Sequence, residues 1–245
     1  MTRTIFYGRA TEQFGELSLP GAGEALPVVV NIHGGFWKVE YDLAHARPFC
    51  RALTAAGYAT WNIEYRRVGQ PGGGWPGTLD DVRAAAELLG PLAARYSLDL
   101  SQMVLVGHSA GGQLALWLAA EGVIPFRGVV ALAAVSDLRW AAGHRLSDGG
   151  DAVQRFLGGE PEEVAVRYDM ASPFERLPLR VPQQLLHGRL DRDVPLALSE
   201  RYVARAQALG DDATLTVLPN TGHMPLIDPE SEAWPVVCDT VSALY

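Results

Sequence analysis

The sequence predicts one α/β domain, spanning residues 1–245, in which helices flank a mostly parallel central sheet. Unbroken apolar runs over 28–32 and 128–135 are typical of strands buried on both faces. Between such runs lie segments whose apolar residues recur at helical spacing. Gly57 is expected to end the first of these helices. Alternating strands and helices imply right-handed crossovers and therefore a parallel sheet. A length of 245 residues suits one domain of this class.

The elements of the first half follow in a regular order. They are an edge strand over 14–19, a strand over 28–32, a helix over 43–56, a strand over 58–65, a helix over 78–96, a strand over 103–106 and a helix from 110 to about 122. Thr78, followed three residues later by Asp81, predicts a capping box at the start of the second helix. The glycines at 72–74 lack the Gly-Lys-Ser/Thr ending of a phosphate-binding loop, so we expect a flexible loop there.

Residues 137–180 interrupt the alternation. They are richer in charge and glycine but carry large apolar residues such as Trp140, Phe156 and Tyr168. We predict a small, cap-like helical insertion above the C-terminal edge of the sheet, where open α/β folds bind ligands. The regular pattern resumes with a strand over 183–186, a helix over 196–209, a strand over 214–218 and a last helix after residue 229. Pro235 is expected to kink that helix or to mark its first turn.

Composition narrows the functional classes. A net charge of −8 with scattered Lys and Arg argues against nucleic acid or an anionic membrane as a partner. Cys50 and Cys238 lack metal-site spacing and are expected to be reduced thiols of a cytoplasmic protein. The N-terminus has no signal-peptide core, and no apolar run is long enough to span a bilayer. We see no sign of a metal or a dinucleotide cofactor, and the sequence does not indicate the oligomeric state.

A nucleophile motif stands at the centre of the chain. Residues 105–112 read Leu-Val-Gly-His-Ser-Ala-Gly-Gly, a G-x-S-x-G that follows an apolar strand and precedes an apolar helix. This context predicts a sharp turn that lifts the hydroxyl of Ser109 clear of the sheet. Gly107 and Gly111 are needed because a Cβ at either position would crowd the turn. We therefore predict that Ser109 is a catalytic nucleophile.

A serine nucleophile needs a histidine to accept its proton. Three histidines follow Ser109, namely His144, His187 and His223. His144 lies in the insertion, and His187 lies at a predicted strand end. His223 lies in a turn after the last strand, where a loop can reach the nucleophile from the C-terminal edge of the sheet. We predict that His223 is the catalytic base.

A carboxylate must orient the base, and the loop after the strand at 183–186 supplies two candidates. Asp191 lies nearer to the strand end, and Asp193 comes two residues later. We favour Asp191, because a shorter loop can present it to His223, while Asp193 could instead cap the helix that Pro195 begins. Asp137, after the preceding strand, is a weaker candidate.

Cleavage of an ester or amide also needs donors for the developing oxyanion. His33-Gly34-Gly35-Phe36-Trp37 directly follows a strand, and its glycines would let backbone N–H groups approach a substrate. We predict an oxyanion hole formed by the N–H groups of Gly35, Phe36 and Ala110. His33 is expected to support this loop, and Trp37 and Trp75 are interpreted as packing residues.

At these motifs the chain resembles the α/β-hydrolase superfamily. It is most similar to the H-G-G-x-W branch of esterases and kynurenine formamidases, and it also resembles the catalytic domain of prolyl-oligopeptidase-type peptidases. The resemblance covers nearly the whole chain from residue 28 onward and implies Ser109 as nucleophile, Asp191 as acid, His223 as base and an oxyanion loop at Gly34-Gly35. Phenylalanine follows the two glycines, where hormone-sensitive-lipase-like esterases have a third. The chain is too short to carry the propeller of prolyl oligopeptidases.

We therefore expect a serine hydrolase that cleaves small carboxylic esters through an acyl-enzyme. Its expected partner is a small-molecule ester or amide substrate. One alternative is an arylformamidase that hydrolyses N-formylkynurenine with the same groups, and another is a small peptidase. An alternative of another class is a non-catalytic ligand-binding module built on a hydrolase scaffold.

Overall fold

Eight strands form one sheet in the computed structural model, which describes residues 2–21, 23 and 25–245. They are β1 (Thr2–Phe6), β2 (Phe14–Ser18), β3 (Leu26–Ile32), β4 (Ala59–Ile63), β5 (Leu98–His108), β6 (Gly128–Leu132), β7 (Gln183–Gly188) and β8 (Ala213–Leu218). Their spatial order is β1-β2-β4-β3-β5-β6-β7-β8. The pairs β1–β2 and β2–β4 are antiparallel, and all other neighbours are parallel. The predicted mostly parallel sheet is confirmed.

The helices connect these strands and cover both faces of the sheet. They are α1 (Arg47–Ala55), α2 (Gly77–Glu87), α3 (Leu89–Tyr96), α4 (Ala110–Glu121), α5 (Leu138–Gly143), α6 (Ala152–Leu157), α7 (Ala165–Ala171), α8 (Ala197–Ala208) and α9 (Trp234–Ser242). Short 3-10 turns lie at Leu43–Ala46, Pro173–Arg176 and Met224–Ile227. Helices α5, α6 and α7 lie between β6 and β7, in the stretch predicted as an insertion. Pro235 lies in the first turn of α9. Among the described residues, every helix falls short of the length and apolarity that a bilayer-spanning segment needs.

The core consists of two apolar layers, one on each face of the sheet. In β5, Met103 and Leu105 belong to one layer, while Val104 and Val106 belong to the other. This alternation follows from the two-residue period of a strand. All four side chains are almost completely buried, which explains why the strand is a continuous apolar run.

The predicted edge strand is not at the edge. β2 lies between β1 and β4, and β1 forms the edge instead. The sequence did not indicate β1, because all of its residues are exposed except Ile5, which is half-buried. A strand of this kind has no buried face to produce an alternating apolar pattern.

The predicted capping box is also wrong. Helix α2 begins at Gly77, so Thr78 lies inside its first turn, where its Oγ1 accepts the Gly74 N–H and donates to the Arg66 carbonyl. The carboxylate of Asp81 binds the guanidinium of Arg66, with Oδ1 2.7 Å from Nη2. The single helix predicted over 78–96 is divided into α2 and α3.

The glycine run at 72–74 is closely packed rather than open. A Cβ on Gly73 would lie 1.9 Å from the carbonyl oxygen of Arg67. The glycine is therefore required by the close approach of two backbone segments.

Candidate active site

Ser109 lies on a sharp turn between β5 and α4. Its backbone has φ 57° and ψ −122°, a conformation that residues with a Cβ rarely adopt. The flanking glycines make the turn possible, since a Cβ on Gly107 would lie 2.2 Å from the Gly111 carbonyl oxygen and one on Gly111 would lie 2.0 Å from the Ile32 carbonyl oxygen. The turn predicted from G-x-S-x-G is present for the steric reason that the sequence suggested.

His223 and Asp191 are brought together by the loops that follow β8 and β7. Nδ1 of His223 lies 2.7 Å from Oδ2 of Asp191. The other carboxylate oxygen, Oδ1, accepts the backbone N–H groups of Asp193 and Val194, each at 2.9 Å. The Asp191 side chain is completely buried, so its orientation is determined by these donors.

Neither alternative acid is hydrogen-bonded to His223. Asp193 is exposed, and α8 begins only at Ala197, so Asp193 does not cap that helix. Asp137 caps α5 by accepting the Trp140 N–H at 2.9 Å, and it pairs with Arg201. Of the three candidate carboxylates, Asp191 is the one that contacts His223.

Two histidines determine the charge of Asp191. Burial alone would raise the pKa of Asp191, but hydrogen bonds from His187 and His223 outweigh it and hold the pKa well below the ordinary value. Nε2 of His187 lies 3.4 Å from Oδ2 of Asp191 and 2.9 Å from the Val194 carbonyl oxygen, while Nδ1 lies 2.8 Å from Oγ of Ser199. His187, which the sequence suggested only as a possible base, therefore anchors the acid loop.

His108 is a further residue that sequence reasoning did not assign to the site. Its Nε2 lies 3.1 Å from the carbonyl oxygen of His223 and donates to it, since a carbonyl only accepts. Burial, together with the nearby His223, lowers the pKa of His108 well below the usual range, so this ring is neutral. Its position inside G-x-S-x-G is the only sequence signal for this contact.

Ser109 and His223 line one cavity of about 770 Å³. Charged residues at its walls include Lys38, Arg145 and Arg192. Lys38 forms an ion pair with Asp148, which belongs to the loop between α5 and α6. The hydrogen bond from Lys38 lowers the pKa of Asp148. The loop between α5 and α6 thus forms one wall of the cavity.

The loop after β3 passes directly over the serine. A Cβ on Gly34 would lie 2.7 Å from the His108 carbonyl oxygen and 3.0 Å from the Cβ of Ser109. Gly35 and Phe36 have φ values of +107° and 49°, and both line the cavity. Within the described part of the chain, the backbone N–H groups of Gly35, Phe36 and Ala110 have no hydrogen-bond acceptor. Three N–H donors are therefore free in residues that line the cavity, as Gly35 and Phe36 do, or directly follow Ser109, as Ala110 does.

Two other residues of this loop have structural roles. Trp37 is completely buried, stacks on Phe156 with ring centroids 4.4 Å apart and donates its Nε1–H to Gln113. The ring of His33 is buried beneath the loop and does not line the cavity. Outside this loop, Trp75 is half-buried and packs against the core.

One group of side chains has the composition of a metal site. The ligating atoms of Asp191, Asp193 and His223 all lie within 4.8 Å of one another. Both Asp191 oxygens, however, already accept N–H groups of the protein, which leaves few lone pairs for a cation.

Sequence comparison relates the chain to known proteins. The BD-FAE family matches residues 17–205. A probable carboxylic ester hydrolase of Mycobacterium tuberculosis, LipM, is 25% identical over 242 residues, which cover 89% of this chain and 54% of that protein. The carboxylesterase NlhH of the same organism is 34% identical over 101 residues, or 41% of this chain and 31% of NlhH. The chain thus spans about half the length of LipM and a smaller part of NlhH.

Solved structures share the fold at low sequence identity. A truncated carbohydrate esterase from gut microbiota aligns with a TM-score of 0.83 and 20% identity over 100% of this chain and 96% of that chain. Esterase B from Lactobacillus Rhamnosis aligns with a TM-score of 0.85 and 21% identity over 100% of this chain and 85% of that chain. These likenesses show the α/β-hydrolase fold. Since the family match extends over well more than half of the sequence, the chain belongs to the BD-FAE family.

Proposed function

We propose that the protein is a carboxylesterase that cleaves small carboxylic esters through an acyl-enzyme on Ser109. One observation carries this proposal: Ser109 and His223 line the same cavity, and the Nδ1 of His223 lies 2.7 Å from the buried carboxylate of Asp191. The names of LipM and NlhH support ester hydrolysis as the reaction class.

The geometry suggests the following reaction. Nε2 of His223 takes the proton of the Ser109 hydroxyl while Oγ attacks the ester carbonyl. The N–H groups of Gly35, Phe36 and Ala110 hold the tetrahedral oxyanion. The bond to the alcohol oxygen then breaks, and the imidazolium gives its proton to that oxygen. A water molecule, deprotonated by the same nitrogen, releases the acid and restores the serine.

Asp191 contributes through its charge and its hydrogen bond. Because its pKa lies well below the ordinary value, Asp191 is ionised throughout the neutral pH range. The carboxylate keeps the proton of His223 on Nδ1 and stabilises the imidazolium that forms during attack.

The test is a set of p-nitrophenyl esters of increasing acyl length, assayed with the wild type and three variants. Ser109→Ala should abolish turnover, and Asp191→Asn should lower kcat by about 10⁴, the loss seen when a triad carboxylate is replaced by its amide. Asp193→Asn, two residues away, should cause a far smaller loss. A larger loss in Asp193→Asn than in Asp191→Asn would contradict the assignment of the acid.

N-formylkynurenine and a short peptide belong in the same assay, because they separate ester cleavage from its alternatives. A formyl acyl group needs little space, whereas the cavity of about 770 Å³ can accept larger groups, which favours esters. Preference for the formyl substrate would make the protein an arylformamidase. If Ser109→Ala kept all of the measured turnover, that turnover would not depend on Ser109. The site would then have only a binding role.

A further inference from the structure

A buried charge cluster lies directly beneath the oxyanion loop. We call it the Glu64 cluster, and it consists of His33, Glu64 and Arg67. Glu64 is 2% exposed, and its Oε1 lies 3.1 Å from Nε2 of His33 and 3.3 Å from Nε of Arg67. Burying such a cluster costs free energy unless its hydrogen bonds are satisfied. Its position under a proposed catalytic loop therefore suggests a role in the function of that loop.

The hydrogen-bond partners of Glu64 favour its ionised form. The N–H of Tyr65 donates to Oε1 at 3.0 Å, and the N–H of Leu43 donates to Oε2 at 2.9 Å. Each carboxylate oxygen therefore accepts a bond from a group that cannot itself accept. Burial would raise the pKa of Glu64, but the hydrogen bond from His33 and the charges of His33 and Arg67 outweigh it and lower the pKa.

Both ring nitrogens of His33 face oxygen acceptors. Nε2 faces the ionised carboxylate of Glu64, and Nδ1 lies 2.8 Å from the carbonyl oxygen of Gly34. A neutral imidazole has one N–H and could satisfy only one of these partners, whereas the doubly protonated ring satisfies both. The ring also stacks on Tyr65, with centroids 4.3 Å apart, and the face of a phenol ring attracts a cation.

The surroundings of His33 contain few other charged or titratable groups. Besides Glu64, Arg67 and the stacked Tyr65, the ring of His45 lies 5.5 Å away edge-on. Burial followed by the proximity of His33 lowers the pKa of His45, so His45 adds no positive charge. Tyr7 donates its hydroxyl to the backbone carbonyl of Glu64 at 2.7 Å, and burial raises its pKa, so it stays neutral.

The bond from His33 to Gly34 acts on the peptide that carries an oxyanion donor. In a planar trans peptide the C=O and N–H point in opposite directions. Since the Gly34 carbonyl points toward His33, the N–H of Gly35 points away from it, and Gly35 lines the cavity. A cationic donor on the carbonyl also polarises the peptide, which strengthens the hydrogen bond that its N–H can make.

We propose that His33, held in its doubly protonated form by Glu64, is a positioning residue that orients and polarises the Gly34–Gly35 peptide so that the Gly35 N–H binds the oxyanion. This inference rests on the proposed esterase function. The cluster also holds the far part of the loop, because Arg67 donates to the Val39 carbonyl at 2.8 Å and Glu64 accepts the Leu43 N–H.

The charge of His33 can be measured without any activity. In protein with ¹⁵N-labelled histidine at pH 7.5, both ring nitrogens of His33 should show the shifts of protonated nitrogens, and contacts to the stacked Tyr65 ring assign the signals. In Glu64→Gln, where a neutral amide replaces the carboxylate, one of the two protons should be lost. A singly protonated His33 in the wild type would overturn the proposal.

Kinetics test the role in catalysis. Glu64→Gln should lower kcat about tenfold with little change in KM, less than the 10²–10³ that follows loss of a whole oxyanion donor. The affinity for a trifluoromethyl ketone, which forms a tetrahedral adduct with serine, should fall by a similar factor. The pH at which activity is half-maximal should not move, because His223 and Asp191 are untouched.

Asp211→Asn is the matched control. Asp211 is also a buried carboxylate, and it accepts the backbone N–H groups of Leu179 and Arg180 away from the cavity. This variant should be destabilised but keep the wild-type kcat. An equal loss of kcat in both variants, or no loss in Glu64→Gln, would overturn the positioning role. Absence of Ser109-dependent turnover in the wild type would instead overturn the proposed function, and with it the oxyanion role of the loop.

Discussion

At the scale of single residues, Ser109 stores conformational strain. The backbone of Ser109 has a positive φ, and such conformations cost about 1–3 kcal/mol for a residue with a Cβ. The conformation persists because the N–H of Ser109 donates to the Leu132 carbonyl at 2.8 Å and its carbonyl accepts the N–H of Val135 at 3.2 Å. The neighbouring strand and the residues after it thus hold the turn in the shape that places Ser109 in the wall of the cavity.

Relief of this strain is a testable consequence. Ser109→Gly should be more stable than Ser109→Ala by about 1 kcal/mol, because glycine tolerates the positive φ and this gain exceeds its greater entropy loss on folding. Urea unfolding of the two inactive variants measures the difference, and Ser109→Ala is the control that keeps the Cβ. If the glycine variant were the less stable one, the turn would not be strained.

At the scale of elements, the helices after β6 are joined to the loop that follows β3. Phe156 of α6 is completely buried against Trp37, and its carbonyl accepts the N–H of Trp75 at 2.8 Å. The side chain of Gln113, in α4, accepts from Trp37 and donates to the carbonyl of Ala171 at the end of α7. The stretch between β6 and β7 therefore supports the loop in addition to forming a wall of the cavity.

Truncation of Phe156 should affect both stability and turnover. Phe156→Ala should lower the free energy of unfolding by about 3–5 kcal/mol, the usual cost of a buried phenylalanine, and should also lower kcat because Trp37 loses its stacking partner. Phe174→Ala is a suitable control, because Phe174 is only half-buried and packs under Arg201 and Arg205.

Urea unfolding and ester hydrolysis by both variants provide the measurement. Unaltered kcat in folded Phe156→Ala would show that the loop keeps its shape without this helix.

At the scale of the whole molecule, the site is assembled by the parallel sheet. The loops that follow β3, β5, β7 and β8 carry Gly35, Ser109, Asp191 and His223, and the C-terminal ends of parallel strands meet at one edge. The same assembly buries ionised carboxylates, since the pKa values of Glu64 and Asp191 are both lowered in the folded state.

These carboxylates make the fold sensitive to acid. A group whose pKa is lower in the folded than in the unfolded chain contributes stability that is complete above the unfolded value and is lost as the pH falls through the folded one. The ordinary values are 4.5 for Glu64 and 3.8 for Asp191. The free energy of unfolding should therefore fall between about pH 5 and pH 3, by about 1.4 kcal/mol per pH unit for each proton taken up.

Asp191→Asn separates one carboxylate from the rest. The variant lacks one of the titrating groups, so its stability should depend less steeply on pH below 4 than that of the wild type. Urea unfolding at a series of pH values gives both slopes. Equal slopes would mean that Asp191 titrates alike in the folded and unfolded chains.

Features that depend on local sequence patterns could be predicted, whereas features that depend on contacts between distant residues could not. The turn at Ser109 and the alternation of strand and helix follow from glycine spacing and apolar periodicity within a few residues. Strand β1 escaped prediction because its exposed residues have no apolar period. Thr78 was assigned to a cap because its partners, Gly74 and Arg66, could be identified only after folding.

The sequence by itself determined the mostly parallel sheet, the turn that presents Ser109 and the loops in which the other site residues lie, since these depend on short-range sterics and on where apolar runs begin and end. Only the tertiary structure decided that Asp191 rather than Asp193 contacts His223, and that His33 meets Glu64. The reason is physical: hydrogen bonds and charge states depend on distances of a few ångströms between groups that lie up to dozens of residues apart in the chain.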